Sequence, residues 1–332
     1  MYGPNLAIIC FYMRHNCMRE ALQHLLDKEC PDEVFIDGIF VPSYETGKLH
    51  FLENLMENMD SSLESWSSYL IASCKHLQTR GFFNILYDLQ RFMKDHMRSA
   101  MTCIRFFSHK ADSYSALGAK QAWLIEAKGH LKTYLQEVSS RSSVRKKTVN
   151  SFRKKMSAAD VSRYINTIEL QIEVTKFLHR CESSATSRIT GPPVSLFGNN
   201  NMKMAVACKV LLGGKNIEEG FGISFRIIQD FQLDAAAVYN KAAKHLLHER
   251  QFCQIRQLLK CVRESGVASS EDTDHLLIRF IEGGDQQLSQ SKELEKLILE
   301  MKSDENKVRR NSFISTYNIN VSIRFTVITA VL

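Results

Sequence analysis

The sequence predicts an all-α protein, an α-solenoid-like array of antiparallel helical hairpins of the tetratricopeptide kind. Three observations carry this. Proline and glycine are scarce, at 5 and 15 in 332 residues, and Leu, Ala, Gln, Lys and Glu fill the periodic stretches. Apolar residues recur at helical spacing almost everywhere before Asn311. The corners between these stretches are short, which makes successive helices antiparallel neighbours. An apolar content of 44% suffices for a real core.

Pro4, at a first-turn position, opens the run LAIICFYMRHNCMREALQHLLDKEC, which ends before Pro31. One long helix or a broken pair fits it. Helical patterns follow at about 31–41, 48–59, 63–79, 82–93, 95–108 and 113–138, with corners at Pro42-Ser43 and Arg80-Gly81. Met18-Arg19-Glu20-Ala21-Leu22 and Met97-Arg98-Ser99-Ala100-Met101 echo each other 79 residues apart, as two hairpin periods of about 40 residues would. Residues 1–138 read as one helical-hairpin array. The Met93, Met97, Met101 ladder reads as adaptable core.

The net charge of +7 sits in one place. Residues 139–156 hold Arg141, Arg145, Lys146, Lys147, Arg153, Lys154 and Lys155 with no acidic residue, and outside them basic and acidic residues number 36 each. A solvated linker is expected there, and anion or lipid contact by these seven residues is the functional alternative. Only Phe152 offers an aromatic ring for base stacking, so no nucleic-acid partner is expected. Ser142, Ser143, Thr148 and Ser151 lie among the charges, where phosphorylation would cancel the attraction.

A helix over 157–181 follows, with Val161, Ile165, Ile168, Ile172 and Phe177 along one side. Residues 182–201, ESSATSRITGPPVSLFGNNN, form a Ser/Gly/Pro/Asn-rich loop whose apolar island, Val194, Leu196 and Phe197, is expected to dock. A second array spans 202–310, with helices at about 202–212, 217–231, 234–248, 251–264, 272–281 and 288–303. The tail, 311–332, is β-branched and alternating, and suits a strand better than a helix.

The stretch LLGGKNIEEGFGISFRIIQD, 211–230, invites a phosphate-loop reading and fails it. Lys209 stands where the first glycine of a Walker loop belongs, and Asn216 where its hydroxyl belongs. The dinucleotide fingerprint fails at Phe225. Asn216 followed by Glu219 reads instead as a helix cap, and two carboxylates in the first turn would repel a phosphate. Gly213 and Gly214 are expected to stop the preceding helix in left-handed geometry, with Ile217, Phe221, Phe225 and Ile228 as the next apolar stripe. Gly220, Gly222 and Ser224 would allow close helix packing. Along the next hairpin run Ala235, Tyr239, Ala242 and Leu246 opposite Phe252, Ile255, Leu259 and Val262, stopped by Ser265-Gly266.

No local catalytic motif occurs, and no catalytic, cofactor or metal residue is assigned. His245 and His248, beside Glu249, offer too few ligands for zinc and read as solvated helix residues. Nine scattered cysteines, among them Cys17, Cys103, Cys208, Cys253 and Cys261 on helix faces, read as buried reduced thiols of the cytosol. Neither a membrane span nor a secretory signal is expected.

The run VSLFGNNNMKMAVACKVLLGGKNIEEGFGISFRIIQDFQLDAAAVYNKAAK, with QLLKCVRESG, DENKVR, MREALQHLL and MSAADVSRYINTIELQIEVTKFLHRCE, resembles the carboxy-terminal region of the spastizin family of FYVE zinc-finger proteins. The likeness covers most of 1–310 and departs after Arg309. The resemblance implies a fragment without the family's zinc-bearing finger, whose phosphatidylinositol 3-phosphate recognition falls on no residue here. It further implies endosomal and lysosomal traffic, autophagic lysosome reformation, abscission at the midbody, a centrosomal location and a link to DNA repair. The partners it implies are spatacsin, the fifth adaptor complex, beclin, a kinesin and a tetratricopeptide protein. The resulting expectation is a non-enzymatic scaffold, with a lipid-binding adaptor and an enzyme lacking a local motif as rivals.

Overall fold

The computed structural model describes residues 3–141, 153–183 and 191–266, and every regular element among them is helical. The expected helices at 272–281 and 288–303 and the tail at 311–332 lie outside the described residues. Two compact units emerge, one of Met1–Lys110 with Ala119–Ile168, the other of Ala111–Gly118 with the chain from Glu169 onward. The stretches on both sides of the basic segment therefore belong to one unit.

The first unit begins with the broken pair, α1 (Gly3–Arg14) and α2 (Met18–Asp27). At the break Asn16 is left-handed, with φ +56°, and the Cys17 amide donates to the carbonyl of Tyr12, five residues back, at 2.9 Å. That geometry closes helix ends by satisfying an orphan carbonyl. It recurs with Glu29, Gly47, Gly81, Lys94, Gln232 and Arg250 in the left-handed position and the following amide bonded five residues back. Five of these seven residues are not glycine, so packing on either side imposes the corner.

After Pro31 come α3 (Asp32–Phe35), a π turn (Ile36–Phe40) and α4 (Val41–Glu45), without a break. The expected corner at Pro42-Ser43 is absent. Proline lacks an amide and its ring crowds the carbonyl four residues earlier, which ordinarily ends a helix. Here the helix widens just before it, and the Val41 amide bonds to Ile36, five residues back. The true corner is at Gly47, φ +69°.

Next come α5 (Leu49–Met59), α6 (Ser67–Arg80), α7 (Phe83–Phe92) and α8 (His96–Ser108). Trp66, Phe35, Phe40 and Leu52 are at most 1% exposed, and the polar atoms of the core aromatics Trp66 and Tyr69 are bonded. Trp66 Nε1 donates to Met56 at 3.2 Å, and the Tyr69 hydroxyl to Cys30 at 2.7 Å. Met18 and Ala21 of α2 and Met97 and Ala100 of α8, the residues of the sequence echo, are all buried near the starts of their helices. Met93 and Met97 are core residues, whereas Met101 is half-buried.

The single helix expected over 113–138 is two, α9 (Tyr114–Ala119) and α10 (Gln121–Arg141), which fall in different units. α10 packs along α8, with Trp123 edge-on to Phe106 at 4.5 Å. The first amides of α9, at Tyr114 and Ser115, donate to the Glu182 carboxylate at 3.2 and 3.0 Å. A carboxylate on an N-terminus holds it by charge as well as by hydrogen bond.

Glu182 closes α11 (Ala158–Glu182), which leads into α12 (Asn200–Gly213), α13 (Ile217–Asp230), α14 (Ala235–His248) and α15 (Phe252–Glu264). The island at 194–197 is docked. Leu196 is 1% exposed and its amide donates to the buried Gln171 at 2.6 Å, while Val194 reaches the Tyr114 hydroxyl at 3.3 Å. Asn216 caps α13 by accepting from the Glu219 amide at 3.1 Å, and Glu219 accepts from the Lys215 amide at 3.3 Å.

Neither Gly213 nor Gly214 takes the expected left-handed backbone. Gly214 is extended, at φ −72° and ψ 171°, and is needed for space: a Cβ there would lie 2.9 Å from the Asn216 carbonyl oxygen and 3.0 Å from Glu219 Cβ. Gly220 is where α13 meets α12, since a Cβ would lie 2.8 Å from the Val210 carbonyl carbon. Gly222 faces open space and has no packing role. The apolar stripe is shifted accordingly, with Ile217, Gly220, Ser224, Ile227 and Ile228 buried and the rings of Phe221 and Phe225 half-buried beside Tyr239.

Two substitutions test this account by urea unfolding of the whole chain. Gln232→Gly should raise stability by about 1 kcal/mol and Gln232→Val lower it by about as much, because only glycine enters the left-handed region without steric cost. Gly220→Ala should lower stability by about 3 kcal/mol, since backbone on the opposing helix cannot move aside as a side chain would.

Candidate functional site

A cavity of about 550 Å³ opens in the first unit where α1, the π turn and α5 converge. Cys10, Met13 and Met18 give its soft apolar wall, Gly38 and Pro42 its floor, and Phe51 its outer side. Asn16, Thr46, Arg14 and Lys48 complete the lining at the two corners.

The π turn builds this concavity. Gly38 lets it lie directly on α1, since a Cβ would sit 2.9 Å from Ile9 Cγ2 and 3.1 Å from Leu6 Cδ1. Just after the widened turn Ser43 and Thr46 tie their hydroxyls back to the Ile39 and Pro42 carbonyls at 2.6 and 2.7 Å. Lys48, at the end of the Gly47 corner, donates to Asn16 Oδ1 at 2.8 Å. Two helix-ending corners therefore meet across the rim.

Phe51 of the lining is open to solvent, as are Phe11 and Ile8 of α1 outside the lining. Phe11 is 59% exposed, Phe51 54% and Ile8 40%. Covering an exposed aromatic of this size yields roughly 1.5–3 kcal/mol. Among the described residues no His, Asp or Glu lines the cavity, so its lining offers neither imidazole nor carboxylate. Its chemistry is that of an apolar socket with two cations at the edge. Sequence reading missed it, because it arises from a turn the proline was expected to forbid.

The basic segment is only partly described. Arg141 ends α10, and Arg145, Lys146 and Lys147 lie outside the described residues. Arg153, Lys154 and Lys155 are placed beside α8 and α10: the Lys154 amide donates to the buried Asp95 carboxylate at 3.1 Å, and Met156 exchanges backbone bonds with the Tyr134 hydroxyl at 2.9 and 3.0 Å. Asp95 also caps α8 and binds the Arg98 guanidinium at 2.6 Å. The side chains of Lys154 and Lys155 are exposed and Arg153 is half-buried.

Other candidate groups are structural. Among the described residues no cluster of three His, Cys, Asp or Glu could hold a metal, and His245 sits 3.4 Å from Glu249 with His248 exposed. All nine cysteines are free thiols. Burial pushes Cys74 and Cys103 up to about 12 and Cys208 to about 11, which keeps them protonated and unreactive. Cys253 departs from the expectation and is exposed, while Cys17 is half-buried.

Between α7, α8 and α10 lies a polar chain that no motif announced. The Tyr87 hydroxyl is 2.9 Å from His130 Nε2, His130 Nδ1 is 3.1 Å from His96 Nδ1, and His96 Nε2 is 3.3 Å from a Glu137 carboxylate oxygen. The carboxylate favours a proton on His96 Nε2, so His130 donates from Nδ1 and accepts from Tyr87. The hydrogen bonds of the chain then run in one direction. Burial holds His130 below its ordinary 6.5, reinforced by His96 and Arg91 and opposed by Glu126.

Residues 234–317 match a protein-family description, ZFYVE26-like, TPR repeats. Over 309 residues, 93% of this chain, the sequence is 63% identical to zinc finger FYVE domain-containing protein 26 of Rattus norvegicus and 62% identical to that of Homo sapiens. The chain is homologous to a segment of that protein. It spans 12% of the length of these relatives. A Dictyostelium discoideum protein is 23% identical over 312 residues, 93% of this chain and 10% of its own length. No solved structure matches. The ZFYVE26-like repeats agree with the all-α hairpin architecture, and repeats of this kind suggest protein interaction. Among the described residues no helix is long and apolar enough to cross a membrane.

The histidine chain gives a pH dependence with a definite sign. Between the depressed folded pKa of His130 and 6.5 the unfolded chain binds the proton and the folded chain does not. Stability should hold above 6.5, fall as pH drops through the folded pKa, and level off below it. Urea unfolding across this range should show that decline, and His130→Gln should flatten it.

Proposed function

We propose that this segment is a non-enzymatic protein-interaction scaffold. The observation that carries the reading is the apolar socket of the first unit, with Phe51 of its lining left exposed. Exposed apolar patches on helical arrays are where other polypeptides dock. Soft methionine walls adapt to more than one partner.

Within the longer protein the segment would serve membrane traffic at endosomes and lysosomes, autophagic lysosome reformation and abscission at the midbody, with a link to DNA repair. Its docking partners would be among spatacsin, the fifth adaptor complex, beclin, a kinesin and a tetratricopeptide protein. Recognition of phosphatidylinositol 3-phosphate, and the zinc it needs, would belong to the FYVE finger elsewhere in that protein. Affinity capture with the whole chain tests this. At least one of these proteins should be retained and bind again as a purified component, and retention of none would overturn the reading.

A second reading, contact with anionic lipid, is favoured by the exposed Lys154 and Lys155 on a stretch fastened to Asp95 and Tyr134. Each nearby cation contributes about 1 kcal/mol at an anionic surface. Replacing the seven basic residues of 141–155 by serine should then abolish pelleting with phosphatidylserine vesicles. Unchanged pelleting would remove the lipid reading.

A further inference from the structure

We propose that the cavity beside the π turn takes one apolar side chain of a partner polypeptide, presented on a segment with acidic residues on either side of that anchor. The proposal rests on the scaffold reading and adds the chemistry of the occupant.

Charge complementarity carries it. Among the described residues the only charged side chains lining the cavity are Arg14 and Lys48, both cations and both exposed. Among the described residues neither makes an ion pair, and the one polar partner of the Lys48 ammonium is the neutral Asn16 amide. Elsewhere in this unit cations do find carboxylates, as Lys94 does with Glu57 and Arg98 with Asp95. Two uncompensated cations beside an open apolar socket attract a carboxylate and repel a basic segment.

The interior selects the anchor. Met13, Met18, Cys10 and Pro42 offer no hydrogen-bonding side chain beyond a weak thiol, so a buried polar group would lose its water without replacement. A leucine, methionine or phenylalanine loses nothing there. An anionic membrane is the weaker fit, because lipid surfaces are held by clusters of roughly 4–8 basic residues rather than two.

A displayed library of random short peptides, panned against the whole chain, tests this. Enriched sequences should carry a Leu, Met or Phe with Asp or Glu within a helical turn of it. Their affinity should fall about tenfold for the double variant Arg14→Glu, Lys48→Glu and with rising salt, and should be unchanged for Lys132→Glu on α10. Equal melting by circular dichroism shows that the variants fold. Absence of enrichment, enrichment without acidic residues, or undiminished binding to the double variant would overturn the proposal. So would self-association, or binding to phosphatidylserine vesicles, that the double variant abolishes. Capture of full-length partners that the double variant leaves intact would leave the scaffold reading standing and remove this one.

Discussion

Among the described residues the recurring way in which a helix stops and hands the chain to the next is a left-handed residue at its end. Once that residue turns, the next amide closes on a carbonyl five residues back and the chain is already aimed into the following helix. Seven ends share the geometry, with Asn, Glu, Lys, Gln and Arg in the position as well as glycine. For a non-glycine residue the left-handed region costs of the order of 1 kcal/mol. The packing on either side offsets that cost. At Gln232 it does so through buried Leu233, and at Lys94 through buried Asp95, which caps α8 and also holds the Lys154 amide.

The site follows from a departure from that plan. Over Asp32–Glu45 the helix continues through a proline by widening, and Gly38 lets the widened turn settle onto α1. The extra width is not filled. It remains as a socket between Met13, Met18 and Phe51, with the corners at Asn16 and Gly47 bringing Arg14 and Lys48 to its edge. A local irregularity of the backbone is thus converted into a shaped surface.

The basic segment and the glycine-rich stretch carried the loudest sequence signals. Gly214 and Gly220 provide space for a cap and for a helix crossing, and Asn216 and Glu219 occupy the very amides that an anion would need. The end of the basic segment is fastened by its backbone to Asp95 and Tyr134, which leaves the Lys154 and Lys155 side chains outward.

The sequence by itself determined that the protein is helical, where most of its helices run, and that Asn216 caps α13, because periodicity and capping are local properties read over a few residues. It also carried the kinship with zinc finger FYVE domain-containing protein 26. Tertiary structure alone decided the rest. Whether Pro42 ends a helix depended on the space Gly38 leaves against α1. The anchoring of the α9 N-terminus depended on Glu182, 67 residues beyond Ser115, and the histidine chain on residues as far apart as Tyr87 and His130. Such contacts join residues far apart along the chain, and no local pattern encodes them.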